Sequence, residues 1–171
     1  EMILNKHVLH MCGNKTIFTL NGTPSEQEVA DFSTISKAWV RRNMDGMRTR
    51  FVTDQMSCGD SGLLFYHDRK GRIKARVISY KDGYVICSHN DNNGDRLLES
   101  IVFNSGGSLC IDSYDDEFYY RHRMNDKGEW TMLEPIRHGF SEIPLVTKRG
   151  DVPWGKVQSL IEVLETLYNV F

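Results

Sequence analysis

Apolar positions along the chain follow two different periods, and the change between them divides the sequence. From residue 23 to residue 51 they recur in steps of three and four, at Val29, Phe32, Ile35, Trp39, Val40, Met44, Met47 and Phe51. That spacing predicts a long N-terminal helix of about seven turns with one apolar stripe. Thr23 reads as its N-cap, Pro24 as its first residue and Glu26 as the partner closing a capping box. Gly46 predicts an interruption or bend, since glycine inside a helix costs about 1 kcal/mol against alanine. From residue 57 onward the period is two. Residues 63–67 and 72–79 read as strands joined by Asp68-Arg69-Lys70-Gly71, a hairpin connection. Further short strands are predicted at 84–87, 97–103, 108–114, 118–124, 129–135 and 143–146. The connections carry turn residues, among them a polar loop at 89–95, so the simplest topology is an antiparallel meander. A closing helix over 157–171 shows apolar positions at Val157, Leu160, Ile161, Leu164, Leu167 and Tyr168. The order of helix, about seven strands and helix predicts an α+β fold with a mainly antiparallel sheet. Residues 1–22 stand apart as a lead-in, either a short strand near 17–20 or irregular chain.

Composition narrows the class. The chain has 171 residues, a formal net charge of −2, 40% hydrophobic and 26% charged residues. That describes one globular domain able to bury a core without a disulfide or metal. It excludes a generally basic nucleic-acid-coating protein. No apolar run reaches the roughly 18 residues of a membrane span. The four cysteines, Cys12, Cys58, Cys87 and Cys110, form no C-x-x-C pair and read as reduced thiols. The closing helix reaches Phe171 without a stop signal, which predicts a fragment of a longer chain.

Several clusters invite a chemical reading. His7, His10 and Cys12 are zinc-type ligands, but no fourth ligand completes a closed pattern nearby. Asp91 within His89–Asp95 imitates a calcium loop, yet its twelfth position is Val102 rather than a glutamate. Asp112, Asp115, Asp116 and Glu117 read as a solvated acidic turn that discourages edge pairing. Gly59-Asp60-Ser61-Gly62 imitates a serine-protease nucleophile segment, which makes a hydrolase using Ser61 with His67 or His89 one alternative. Lys37, Arg41, Arg42, Arg48 and Arg50 against Asp45 form a basic face, and a small nucleic-acid-binding adaptor is another alternative. A solvated helix face is the competing structural explanation. None of these patterns calls for a cofactor.

Two further segments carry a resemblance. The first is Cys58-Gly59-Asp60-Ser61-Gly62-Leu63-Leu64-Phe65-Tyr66, followed by Asp68-Arg69-Lys70-Gly71-Arg72-Ile73 and the 77–86 strand region. The second is His138-Gly139-Phe140-Ser141-Glu142-Ile143-Pro144-Leu145-Val146, followed after a spacer by Val157, Ser159, Leu160, Ile161 and Asn169. In order and spacing this layout resembles the wing region of portal proteins of tailed phages and prophages. Ser141 departs from a glycine usual in that family. The resemblance marks Gly59, Asp60, Gly71, His138, Gly139, Ile143 and Pro144 as motif positions with structural roles, and it covers about residues 25–171. It implies a structural, non-enzymatic subunit of a ring of about twelve copies at one capsid vertex. DNA would be packaged and ejected through that ring. Sister subunits and capsid or scaffold proteins would be the partners. Terminase and DNA would be met through parts of the subunit beyond residues 1–171. The location would be the virion, assembled in a bacterial cytoplasm, with no membrane involved. The same resemblance implies that these residues alone can stay monomeric, because the family's stem carries much of the ring contact.

Overall fold

A computed structural model describes residues 2–149. Three helices come first: α1 (Met2–Cys12), α2 (Glu26–Arg41) and α3 (Met44–Cys58). The strands follow as β1 (Asp60–His67), β2 (Ile73–Ser79), β3 (Val85–Asn90), β4 (Arg96–Ser105) and β5 (Ser108–Tyr114). Next come β6 (Phe118–Met124), β7 (Trp130–Met132), β8 (Ile136–Arg137) and β9 (Leu145–Arg149). The fold is α+β with antiparallel sheets, as the periods predict. The closing helix expected over 157–171 lies outside the described residues.

The helical part differs from the sequence reading in three ways. The expected lead-in begins with a helix, α1, which buries Val8 and packs on α3. The expected long helix is two helices. It breaks at Asn43, which is left-handed at φ 51° and ψ 46°. Asparagine tolerates that conformation better than most residues, and Gly46 then lies inside α3. A Cβ on Gly46 would run into the Asn43 side chain at 2.5 Å, so the glycine accommodates the break rather than causing it. The cap of α2 is Ser25, two residues past the expected Thr23. Ser25 Oγ accepts the Glu28 N–H at 3.3 Å, and Glu28 Oε2 accepts the Ser25 N–H at 2.8 Å. Both Thr23 and Ser25 stand three residues ahead of a glutamate. Ser25, extended at φ −68° and ψ 161°, is the one that forms both capping-box bonds.

The strands form two sheets, not one meander. The smaller has the order β2-β1-β9, and the larger is the meander β3-β4-β5-β6-β7, with β8 also paired to β6. β9 returns from far along the chain to the free edge of β1, pairing Leu64 with Leu145 and Asp60 with Arg149. The strand expected over 129–135 divides into β7 and β8 around Pro135, which has no N–H to offer a ladder. Leu64, Ile78 and Leu145 of the small sheet meet Ile86, Ile101 and Tyr114 of the large one in a common core.

Three hairpins use one device. Asp68 Oδ1 accepts the N–H groups of Lys70 (2.9 Å) and Arg72 (3.0 Å). Asp91 Oδ1 does the same for Asn93 and Asp95, both at 2.8 Å, and Asn125 Oδ1 for Lys127 (3.0 Å) and Glu129 (2.9 Å). In each, a glycine three positions on takes positive φ and donates back to the first residue's carbonyl. The calcium-like 89–95 segment is one of these turns.

Candidate functional site

Between the two sheets lies a cleft of about 680 Å³, walled by β1 and β2 on one side and by β5, β6 and the 136–144 segment on the other. Its floor is aromatic. The Tyr114 and Tyr119 rings stack at 4.9 Å with an interplanar angle of 9°. Beneath them Asp112, only 6% exposed, accepts hydrogen bonds from Tyr119 Oη at 2.7 Å and Arg123 Nη1 at 2.8 Å. Burial pushes both tyrosine hydroxyls up, and the bond to Asp112 adds to this at Tyr119, so both remain neutral.

The 136–144 segment latches one sheet to the other. His138 Nδ1 accepts the Phe140 N–H at 3.1 Å, which makes Nε2 the protonated nitrogen, donating to the Asp115 carbonyl at 3.0 Å. The His138 N–H donates to the Glu117 carbonyl at 3.1 Å, so this histidine is fastened to the β5–β6 turn. Gly139, at φ 77°, turns the chain, and the Phe140 ring stacks on His67 at the end of β1, 4.7 Å between centroids. His67 Nδ1 in turn donates to the His138 carbonyl at 3.1 Å. Two residues past Glu142, the Pro144 carbonyl accepts the Phe65 N–H at 2.9 Å, and Ile143 packs against the core. Every polar atom of the His138 ring is thus used to hold backbone.

Gly59, Asp60, Ser61 and Gly62 do a different task. Gly59 ends α3 at φ 89° and donates to the Gln55 carbonyl at 2.9 Å. A Cβ on Gly62 would meet Ile86 Cδ1 and Leu145 Cδ1 at 3.0 Å each, so this glycine lets the sheets approach. Ser61 is 0% exposed and its Oγ has no hydrogen-bond partner. Neither His67 nor His89 reaches it, so the nucleophile-like segment is a helix stop followed by a close sheet crossing. Asp60 opens β1 beside Arg149, and Gly71 closes the β1–β2 turn.

The five basic residues are divided by the helix break. Arg48 donates to Thr16 Oγ1 at 2.9 Å and to the carbonyls of Cys12 and Asn14, fastening the end of α1 to α3. Arg50 pairs with Asp82 and with the buried Asp54, which Lys81 also contacts at 3.1 Å. Lys37, Arg41 and Arg42 make no side-chain hydrogen bond or ion pair among the described residues. His7, His10 and Cys12 lie on α1, with Cys12 about 200° around the helix from His10. Among the described residues no group of three or more His, Cys, Asp and Glu could hold a metal.

The buried carboxylates escaped the sequence reading. Asp112 was expected in a solvated turn, but it faces the core side of β5 with Cys110 and Tyr114, a placement that strict alternation along β5 encodes. Glu99, 0% exposed, joins the sheets through Thr147 Oγ1 at 3.1 Å, Ser88 Oγ at 2.7 Å and Arg96 Nε at 3.1 Å. Its signal was weaker, because its partner Thr147 comes 48 residues later.

The cleft therefore holds a latch and a buried acid clamp rather than a nucleophile with its base. No curated protein matches the chain significantly. A family described as "Phage portal protein, SPP1 Gp6-like" matches residues 1–170, and that family is structural and non-enzymatic. The match takes in α1 as well as the strands, and the chain belongs to this phage portal protein family.

Proposed function

We propose that residues 1–171 form the wing region of a portal subunit, one wedge of a head–tail connector ring at a capsid vertex. DNA enters through the ring during packaging and leaves through it at ejection. Sister subunits and capsid or scaffold proteins are its partners. Terminase and DNA are engaged by parts of the subunit outside these residues. Assembly takes place in the bacterial cytoplasm, and the finished location is the virion. The observation that carries this reading is the family match over residues 1–170. The latch built from His138, Gly139, Phe140 and Pro144 supports it, since those positions serve architecture rather than catalysis. No described helix is long and apolar enough to cross a membrane.

The test is direct. Particles purified from the phage or induced prophage are analysed by mass spectrometry for peptides of this chain, and immunogold labelling locates it. Peptides present at a few per cent of the major capsid protein, with label at one vertex, are the expected result. Absence from DNA-filled particles refutes the proposal.

A further inference from the structure

Two strand edges are open, one on each sheet, and they carry opposite charge. Among the described residues no strand pairs with the outer side of β2 or of β7. At the start of β2 the Asp68 N–H donates to the Arg72 carbonyl at 2.9 Å, so residues 72, 74, 76 and 78 bond toward β1. Ile73, Ala75 and Val77 therefore turn their N–H and C=O groups outward. Around β7 the Asn125 N–H donates to the Glu129 carbonyl and the Leu133 N–H to the Arg121 carbonyl, both at 2.9 Å. Thr131 thus bonds toward β6, while Trp130 and Met132 turn theirs outward. Open backbone of this kind is a template for another strand.

The β2 edge is basic. Residues 69–76 hold Arg69, Lys70, Arg72, Lys74 and Arg76 and no acid. Arg72 and Lys74 share the one carboxylate of Asp68, at 2.7 and 3.8 Å. Arg76 lies over the Tyr84 ring and forms no hydrogen bond or ion pair among the described residues. The β7 edge is acidic. Residues 126–134 hold Asp126, Glu129 and Glu134 against Lys127, all of them exposed. The Glu129 carboxylate accepts one bond, from Asn125 Nδ2 at 3.0 Å, and meets no cation among the described residues. The cations behind it on β6 are engaged elsewhere: Arg123 is bound by Asp112 at 2.8 Å, and Arg121 lies over the Tyr119 ring. Both edges also expose apolar side chains, with Ile73 53%, Trp130 45% and Met132 56% exposed.

We infer that β2 of one copy pairs as an antiparallel strand with β7 of the next, head to tail, so that a sheet continues across the contact. This rests on the ring reading above. Ile73 then faces Met132 of the next copy, Ala75 faces Trp130, and Arg76 faces Glu129, with Lys74 beside Thr131. The outward N–H and C=O groups of the two strands bond to one another. The exposed apolar side chains cover each other on one face, and opposite charges meet on the other. Glu134 falls at the Lys70–Arg72 end. This register leaves clear the last residues of β2, where the Ser79 carbonyl already accepts the Tyr84 N–H at 3.2 Å. A ring closed by rotation needs two different, mutually complementary patches on each subunit. These edges are such a pair, and like edges repel. β2 against β2 sets cations opposite cations, and β7 against β7 sets carboxylates opposite carboxylates.

The experiment uses the 171-residue chain in sedimentation velocity over a range of concentrations, at low and high salt. The parent chain self-associates, less so at high salt. Arg76→Glu and Glu129→Lys each weaken association about fivefold to tenfold, since like charges then stand opposite. Mixed together the two variants associate again, because every contact between unlike chains brings opposite charges together. Ile73→Pro, at the first residue of β2, removes an outward N–H without touching the ladder to β1, and weakens association as well. Circular dichroism identifies variants that keep the fold, as is expected at positions this exposed. Lys74→Cys mixed with Thr131→Cys under a mild oxidant forms a disulfide between copies, identified by mass spectrometry of the linked peptides. Opposed residues of that pair stand about 4.5 Å apart at Cα, within disulfide reach. A parent chain that stays monomeric overturns the inference. So do charge variants that associate like the parent, a mixture that restores nothing, or absence of that disulfide. None of these outcomes removes the chain from virions, so the portal reading fails only on the particle analysis.

Discussion

Ser61→Ala should raise the stability of the fold, the reverse of what a catalytic or hydrogen-bonded serine would give. The Ser61 hydroxyl is fully buried with no partner, and Ser79, opposite it in the β1–β2 ladder, is in the same condition. A buried polar group left unsatisfied costs about 1–3 kcal/mol, while loss of one oxygen forfeits little packing. The net expectation is a gain of about 1 kcal/mol, or about 2–4 °C in Tm for a chain of this size. Gly62→Ala, one residue on, should move the other way. Its methyl would press Ile86 and Leu145 at 3.0 Å in a packed core, and overpacking of this kind costs about 1–3 kcal/mol. Urea unfolding followed by circular dichroism reads both changes as shifts in midpoint at constant slope. The void beside Ser61 is about 10 Å³, the lower limit for one water. If Ser61→Ala loses about 1 kcal/mol or more, the hydroxyl is hydrogen-bonded in solution and the reasoning is refuted. A fluorophosphonate probe should leave the chain unlabelled.

Three other outcomes follow from single contacts. Arg48→Ala removes the bonds to Thr16, Cys12 and Asn14, and should cost about 1–2 kcal/mol. Amide exchange should then quicken over residues 2–16 while the sheets stay protected; unchanged exchange there would show that α1 is held by its apolar contacts. Asp112→Ala strands Tyr119 Oη and the Arg123 guanidinium, and should cost about 2–3 kcal/mol. Loss of near-ultraviolet dichroism from the Tyr114–Tyr119 stack should accompany it. Hydrogen bonds from Arg72, by side chain and then backbone, hold the Asp68 carboxyl well below the usual carboxylate range. A carboxyl lowered on folding stabilises above its unfolded pKa of about 4, and that contribution is lost as pH falls further. The acid side of the Tm–pH curve should therefore be shallower in Asp68→Ala than in the parent.

How much was legible in the chain depended on the reach of each interaction. The strands from β1 to β6 were visible because alternation and turn residues are local. The Asx-glycine turns at Asp68, Asp91 and Asn125 need only five residues each. The helix break was placed at Gly46 because glycine weakens helices, but the decisive residue was Asn43, whose left-handed backbone is set by context. The division into two sheets was hidden, since it depends on β9 crossing to β1 from far along the chain, as in the pairing of Leu64 with Leu145. The motif histidine His138 was marked by resemblance, whereas its work as a latch emerged only with Asp115, Phe140 and His67 brought together. Asp112 was within reach of the period-two rule along β5 but was masked by the acidic residues that follow it.

The polar and apolar parts of this subunit divide the labour in an unusual way. Asp54, Glu99 and Asp112 are buried, and each meets a cation together with a residue from another strand or turn. Carboxylates in such positions contribute little net stability compared with well-packed apolar groups. They do penalise a wrong arrangement, because any misplacement strands a desolvated charge. Meanwhile much of the large apolar surface, from Val40 to Met132, stays outside. A chain that used the hydrophobic effect chiefly for its own folding would bury those residues and expose the carboxylates. The reverse arrangement holds the two sheets in a defined relation. In the ring proposed above, small angular errors would accumulate, so closure would demand a rigid sheet-to-sheet joint of this kind.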